Sequence, residues 1–362
     1  MCLPWGKGPR AKGQEQEARS TEAGNEELEG VGADLCVCPL AECKAPTAKS
    51  EGTERRSAVG RRLSASRAVN TMTNEKYVDV DGIRTRYFEA GTGPVVALFH
   101  GGHFGSHDAA DCAEDWSLNF DDLAKWFHVY AVDKLGQGFS DNPKRDEDYT
   151  MAAVVQHAYG FLKTLGLRNI HPVGHSRGAY LVARLTLEHP ELFSTCILVD
   201  TNTLAPGVSK NETVMANPPL PRLSHESQRW VLQKYSYGYE HITEEWLDVM
   251  VRIAGLPKYQ NAVKQMEEIG LRTTRFLPHL ARQKDETLGI IRDRGFGRPT
   301  LLAWAYNDPT ATIDQGHALF DLIARNTPDS RMYIFNRAGH FSYREHPAEF
   351  NALLRSFVQR NV

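Results

Sequence analysis

Short apolar runs alternate with amphipathic stretches of helical spacing from Asn74 to the C-terminus. The apolar runs predict a strand and turn at 77–82, followed by strands at 83–89, 95–99, 129–133, 169–173, 196–199, 300–304 and 331–335. The amphipathic stretches predict helices at 119–127, 150–165, 177–188, 314–324 and 348–358. Strands that alternate with helices form a mostly parallel sheet covered on both faces, so we predict an α/β fold.

The segment 204–290 interrupts this alternation. It holds no run typical of a buried strand, and its helical stretches carry aromatic residues such as Trp230 and Tyr235. Ligands of open α/β sheets bind beyond the carboxyl ends of the strands. We therefore predict that 204–290 is a helical cap over that edge of a core formed by 72–203 and 291–362.

Residues 1–71 have a different composition. They are rich in Gly, Ala, Glu, Lys, Arg and Ser, poor in aromatic residues, and show no sustained period. Such a chain buries too little apolar surface to offset its ordering entropy, so we predict a disordered N-terminal extension. The spacing Cys36-x-Cys38-x4-Cys43 lacks a second pair of ligands at a familiar zinc spacing, and we predict no metal site.

Composition excludes several classes of protein. The 362 residues carry a net charge of −3, which gives no basic field for nucleic acid or an anionic membrane. No apolar run reaches the roughly 18 residues that span a bilayer. Only Cys112 and Cys196 fall in the part predicted to fold, so we expect no disulfide framework, a buried thiol at Cys196 and a cytoplasmic location. A homodimer is left open.

The run 174–178 reads Gly-His-Ser-Arg-Gly and lies between a predicted strand and a predicted helix. This is the context of the G-x-S-x-G nucleophile elbow, where a tight turn requires small residues two positions from the serine. We therefore predict that Ser176 is a nucleophile.

Asp308 and His340, which both come after Ser176 in the sequence, complete a catalytic triad in the order Ser, Asp, His. His340 follows the last predicted strand and would accept the serine proton. Asp308 follows the preceding strand and would orient the histidine. Asp200, also at a strand end, is the competing acid.

A negatively charged carbonyl oxygen needs preorganised donors, and two backbone amides are candidates. One is the amide of Arg177, the residue after the nucleophile. The other comes from the run His-Gly-Gly at 100–102, where Gly102 is the expected donor.

From Met72 to Val362 the chain resembles the α/β-hydrolase superfamily. Within it the chain is similar to the meta-cleavage-product hydrolases, which cut a carbon–carbon bond in vinylogous 1,5-diketones made by aromatic ring fission. The resemblance is carried by His-Gly-Gly at 100–102, Trp304-x-x-x-Asp308, the run 339–350 and Ile-Thr-Glu-Glu-Trp at 242–246 in the predicted cap.

The resemblance implies hydrolysis of a small-molecule substrate without a cofactor. The family's carboxylate-binding cap arginine aligns near Met250, which leaves Arg252, Arg177 or His103 as the partner of a substrate carboxylate. The residues expected to contact substrate are His103, Asn119, Trp246, Arg252 and Phe341. This chain also departs from the family by His175 before the nucleophile and by Arg177 after it.

Two other functions fit the same residues. A carboxylesterase or lactonase would use the same triad on an ester. A ligand-binding receptor on a hydrolase scaffold would bind a small molecule while the triad stays slow or idle.

Overall fold

The computed structural model describes residues 72–362, whose centre is an eight-stranded sheet in the order β1-β2-β4-β3-β5-β6-β7-β8. β1 and β2 are antiparallel to their neighbours, and all later pairs are parallel. The predicted α/β fold is therefore confirmed. The strands are β1 (Glu75–Val80), β2 (Ile83–Ala90), β3 (Val95–Phe99), β4 (His128–Val132), β5 (His171–His175), β6 (Cys196–Val199), β7 (Thr300–Ala305) and β8 (Ser330–Phe335).

The sheet separates two apolar cores. Along β3, Val96 and Leu98 enter one core, whereas Ala97 and Phe99 enter the other. Successive side chains of a strand point to opposite faces, and both faces are covered here. This explains why β3 and β6 appear in the sequence as unbroken apolar runs.

Helices supply the other half of each core. Side chains of α2, α3, α8 and α9 enter the core that contains Phe99, and those of α1, α6 and α11 enter the core that contains Leu98. The helices are α1 (Phe120–Leu123), α2 (Met151–Thr164), α3 (Arg177–Glu188), α4 (Asn211–Val214), α5 (His225–Tyr235), α6 (Glu244–Ala254), α7 (Pro257–Val263), α8 (Leu277–Arg294), α9 (Ile313–Ala324), α10 (Ser342–Glu345) and α11 (Pro347–Arg360).

Helix ends follow local capping chemistry. The Thr150 hydroxyl accepts a hydrogen bond from the amide of Ala153, so α2 begins where the sequence predicts it. The helix predicted at 119–127 is shorter in the structure, where it ends at Leu123. The amides of Lys125 and Trp126 then bond three residues back, which tightens the chain into a turn before β4.

The segment between β6 and β7 is helical. It contains α4 to α8 and two short π-helical turns, and none of its residues lies in a strand. α8 continues past the predicted boundary at 290 to Arg294, where Gly295 adopts a positive φ of 65°.

A buried ion cluster fixes the loops around the edge of the sheet. The guanidinium of Arg86 binds Asp133 at 2.6 Å and also pairs with Glu114. Asp133 in turn accepts hydrogen bonds from the amides of Ala113 and Phe139, both at 2.7 Å. The loops that follow β3 and β4 are thereby tied together.

The predicted extension 1–71 and its cysteines lie outside the described residues. Within residues 72–362, Cys112 and Cys196 are buried free thiols, as predicted for Cys196. No helix among the described residues is both long and apolar enough to cross a bilayer. The cytoplasmic location and the homodimer stay predictions.

Candidate active site

Ser176 occupies a sharp turn between β5 and α3, with φ 54° and ψ −118°. A side chain resists this left-handed region, so the surrounding structure must hold it there. A Cβ on Gly174 would lie 2.2 Å from the carbonyl oxygen of Gly178, and one on Gly178 would lie 2.3 Å from that of Phe99. The two glycines of the motif are therefore required by close backbone approach.

His340 and Asp308 form a direct pair. His340 Nδ1 lies 2.6 Å from Asp308 Oδ2. The other oxygen of Asp308 accepts from the amides of Thr310 and Ala311, both at 2.8 Å, and from the Thr310 hydroxyl at 2.9 Å. A carboxylate held in this way directs Nδ1 to carry the proton and leaves Nε2 as the acceptor.

The protonation of His340 sets an expected pH dependence. Burial lowers the pKa of His340, but the charge and the hydrogen bond of Asp308 outweigh it and leave the pKa above the usual 6.5. Only a neutral imidazole accepts a proton, so we expect kcat/KM to rise with pH along a limb centred above pH 6.5. A pH profile measures this limb, and a midpoint below 6.5 would contradict the expectation.

The loop that carries His340 is fastened to the cap. The His340 amide donates to the carbonyl of Tyr235 at 2.7 Å, and the Tyr235 ring stacks on the imidazole. The Glu345 carboxylate accepts from three amides, those of Gly339 in this loop and of Tyr237 and Gly238 in the cap. Residues from both parts therefore fix the position of the imidazole.

Asp200 has other partners. Its Oδ1 accepts from the amide of Ala305 at 2.7 Å, and its Oδ2 accepts from the hydroxyl of Ser342 at 2.6 Å. Burial, followed by the nearby charge of Asp308, raises the pKa of Asp200 to about 8. The geometry thus favours Asp308 as the partner of His340 and gives Asp200 a structural role.

The loop 100–103 is held by side chains behind it. The Gly101 carbonyl accepts from His100 Nδ1 at 3.0 Å and from Gln137 Nε2 at 3.2 Å, and the Gly102 carbonyl accepts from Lys134 Nζ at 3.0 Å. In a trans peptide the N–H points away from the preceding carbonyl. The amide of Gly102 therefore points away from His100 and Gln137.

A cavity of about 420 Å³ lies between the sheet edge and the cap. Six of the sequence-predicted residues line it together, namely Ser176, His340, Gly102, Arg177, His103 and Phe341. Asp308 is behind His340, in contact with Nδ1. The predicted triad and oxyanion residues thus surround one space.

Two groups in the cavity wall have unfilled hydrogen-bonding capacity. Among residues 72–362, Arg177 Nε has no hydrogen-bond partner, and neither has either ring nitrogen of His103, which stacks on Phe276. Arg272 also lines the cavity, but it pairs with Glu212 and Glu267. Arg177 is therefore the cavity arginine that is available to an anionic ligand.

Three residues expected to contact substrate lie outside the cavity lining. Asn119 donates to the carbonyl of Tyr343, and Trp246 Nε1 donates to Asp115, both at 2.9 Å. The guanidinium of Arg252 lies over the Phe139 ring, 5.0 Å from its centroid. Of the five residues expected to contact substrate, His103 and Phe341 line this cavity.

Sequence reasoning also missed residues that the structure places at the site. Asp111 and Tyr235 line the cavity, and Lys134 contacts the loop below it. The position of Lys134 directly after a strand end was the one available signal, since side chains at strand ends face the ligand edge of such sheets.

Comparison with known proteins supports the same fold. A sequence model described as "alpha/beta hydrolase fold" matches residues 94–238. The 2-hydroxy-6-oxo-6-(2'-aminophenyl)hexa-2,4-dienoic acid hydrolase of Metapseudomonas resinovorans is 25% identical over 80% of this chain and 92% of its own length. The 2-hydroxy-6-oxo-6-phenylhexa-2,4-dienoate hydrolase of Comamonas testosteroni is 26% identical over 78% of this chain and 93% of its own. A solved meta-cleavage product hydrolase of Pseudomonas fluorescens IP01 superimposes with a TM-score of 0.64 at 22% identity, over 79% of this chain and 97% of that one.

Proposed function

We propose that this protein, which has the α/β-hydrolase fold and is similar in sequence to meta-cleavage-product hydrolases, is a serine hydrolase that cleaves a carbon–carbon bond in a carboxylate-bearing dienoate diketone. The observation that carries the proposal is the His340–Asp308 pair at 2.6 Å, on a cavity that Ser176 also lines. A hydroxyl, a base and its orienting acid are the parts of an activated serine.

In the proposed reaction His340 Nε2 takes the proton of Ser176 as Oγ adds to the remote ketone of the ketonised substrate. The negative oxygen that forms is stabilised by the amides of Gly102 and Arg177. Collapse breaks the carbon–carbon bond, and its electron pair leaves as a dienolate that takes the proton from His340. Water, deprotonated by His340, then releases the acyl group from Ser176 as a carboxylic acid. The reaction consumes one water and needs no cofactor.

Arg177 is the proposed partner of the substrate carboxylate. Arg177 lines the cavity, and its Nε has no hydrogen-bond partner within the described part of the chain, so a carboxylate would fill that hydrogen-bonding capacity. His103 lies in the same wall of the cavity. Its ring is neutral, because burial and then the charge of Arg177 hold the pKa of His103 well below its usual range. A dienoate bound in this way would place its far ketone away from the guanidinium of Arg177 and toward the backbone amide of the same residue.

The test compares a dienoate with a neutral ester. Wild-type protein, Arg177→Gln and Arg272→Gln are assayed on 2-hydroxy-6-oxo-6-phenylhexa-2,4-dienoate, by loss of its yellow absorbance, and on p-nitrophenyl acetate. We expect Arg177→Gln to lower kcat/KM for the dienoate by about 10-fold or more, mainly through KM, because a charge-assisted hydrogen bond is lost. The ester should be little affected.

Arg272→Gln is the matched control, because this arginine lines the cavity but already has carboxylate partners. Its effect on the dienoate should be smaller than that of Arg177→Gln. Turnover of the ester without any turnover of dienoates would support a carboxylesterase instead. Saturable binding without turnover of either compound would support the receptor function.

A further inference from the structure

Lys134 is a buried lysine that the proposed reaction does not use. It follows Asp133 at the end of β4, and only 2% of its surface is exposed. Its Nζ donates a hydrogen bond to the carbonyl of Gly102 at 3.0 Å. Within residues 72–362 no carboxylate lies within 4.0 Å of this nitrogen, so the ammonium has no ion pair. A buried charge of this kind is costly, which makes a purely structural role a poor explanation.

We propose that Lys134 is a positioning residue of the oxyanion hole: its ammonium binds the Gly102 carbonyl, which restricts the residue whose amide is the proposed donor, and adds positive charge behind the developing oxyanion. The proposal rests on the proposed function, because it needs a Ser176-dependent reaction that forms an oxyanion. Lys134 itself does not line the cavity, so it acts through the loop and not on the substrate.

The attachment of this loop explains how one lysine can act on it. Gly102 has a positive φ of 66°, and a Cβ there would lie 2.0 Å from Asp111, so glycine is required at this position. Because glycine restricts the backbone little, the loop depends on its hydrogen bonds to hold its conformation. The Gly101 carbonyl is held by two side chains, whereas among the described residues the Gly102 carbonyl is held by Lys134 alone. The backbone amide of Lys134 also donates to His100 Nε2 at 3.2 Å, which fixes the lysine relative to the loop.

The charges around Lys134 leave it able to titrate near neutral pH. Burial lowers the pKa of Lys134 to about 7, and Asp111 attracts the ammonium while Arg177 repels it. The titratable groups that face it come from the loop before the turn Ala113–Trp116, from that turn, from α3 and from the ends of β3 and β5: Asp111, Asp115, Arg177, His100, His103 and His175. Above pH 7 the hole would lose the positive charge behind it.

The test uses Lys134→Met and Lys134→Gln, with hydrolysis of p-nitrophenyl acetate as the readout. We expect Lys134→Met to lower kcat about 10- to 100-fold with little change in KM, since one support of the oxyanion hole is lost. Lys134→Gln, which keeps a donor without the charge, should retain more activity. In the wild type kcat should fall as the pH rises through about 7. Both variants should lack this alkaline limb.

Lys258→Met is the matched control. Lys258 is also a largely buried lysine, and its Nζ donates a hydrogen bond to the carbonyl of Ser140. Burial lowers the pKa of Lys258 to about 8, but its ammonium donates no hydrogen bond to the described loop 100–103. This variant should keep the wild-type kcat and the alkaline limb. Because the folded protein lowers the pKa of Lys134 below its unfolded value of 10.5, the charged form opposes folding at lower pH. Lys134→Met should therefore melt no lower than the wild type at pH 6.

Different results overturn different claims. Wild-type kcat in Lys134→Met, or an alkaline limb that persists in both Lys134 variants, would overturn the role of Lys134 and leave the proposed function intact. A loss of kcat that follows only a lower melting temperature in both variants would also overturn it. Undiminished turnover in Ser176→Ala would overturn the proposed function and this inference together.

Discussion

Replacing Ser176 with alanine should lower kcat on any substrate of this protein by about 10⁶-fold, because it removes the hydroxyl that is proposed to form the covalent intermediate. The substitution removes one hydroxyl and leaves the backbone turn and its hydrogen bond to Val199 unchanged. Steady-state turnover of the dienoate and of p-nitrophenyl acetate measures the loss. Melting temperature should change little, which separates a chemical defect from unfolding.

Ser209→Ala is the matched control for this prediction. Ser209 lines the same cavity, and its hydroxyl oxygen accepts hydrogen bonds from Asn202 Nδ2 and from the amide of Asn211, both at 3.1 Å. Its replacement should change kcat by less than about 10-fold, because only these two neutral hydrogen bonds are lost. Equal losses in the two variants would show that the cavity tolerates no serine substitution and would remove Ser176 from its special role.

Asp308→Asn should lower kcat by about 10⁴-fold, because an amide in place of the carboxylate favours the wrong histidine tautomer and no longer stabilises the imidazolium. It should also move the acid limb of kcat/KM to lower pH, since the charge that raises the pKa of His340 is removed. Asp200→Asn should have a much smaller effect on kcat. Its main effect should be a loss of about 1–3 kcal/mol in the free energy of unfolding, because the bonds to Ala305 and Ser342 are disturbed.

The two aspartates are measured side by side, by pH profiles and by chemical denaturation. The geometric assignment is wrong if Asp200→Asn gives the larger loss of kcat while both proteins remain folded at the assay temperature. A shift of the acid limb in Asp308→Asn alone would be the direct signature of the pair that the structure contains.

Much of the scaffold could be predicted from the sequence, because its elements are fixed by local patterns. The bounds of α3 and β6 follow from the helical period after Ser176 and from the apolar run at 196–199. The elbow could be predicted as well, since its glycines are required by close backbone contacts within one turn and its neighbouring strand. Such features depend on residues near each other in the chain or on the regular order of the fold.

The parts that could not be predicted depend on which way a side chain points after long-range packing. The order of residues along the chain favours Asp308, but it does not show which carboxylate reaches the imidazole, because Asp200 and Asp308 follow neighbouring parallel strands. The contacts that separate them, between Asp308 and His340 and between Asp200 and Ser342, depend on long-range packing. Trp246 is aromatic and lies in the cap, but its indole is taken by Asp115 from the core. Lys134 follows a strand end, but lysines are seldom buried, so the sequence did not indicate that its side chain packs beneath the loop 100–103.

The carboxylate of Glu345 connects the cap to the loop that carries His340. It accepts hydrogen bonds from two amides of the cap and from one amide of the loop. Separating the cap from the loop at this edge would therefore break hydrogen bonds to these amides, which costs free energy. Any displacement of the cap that begins there would pull on the backbone next to His340. The imidazole of His340 therefore keeps its alignment only while the cap stays in place at this edge.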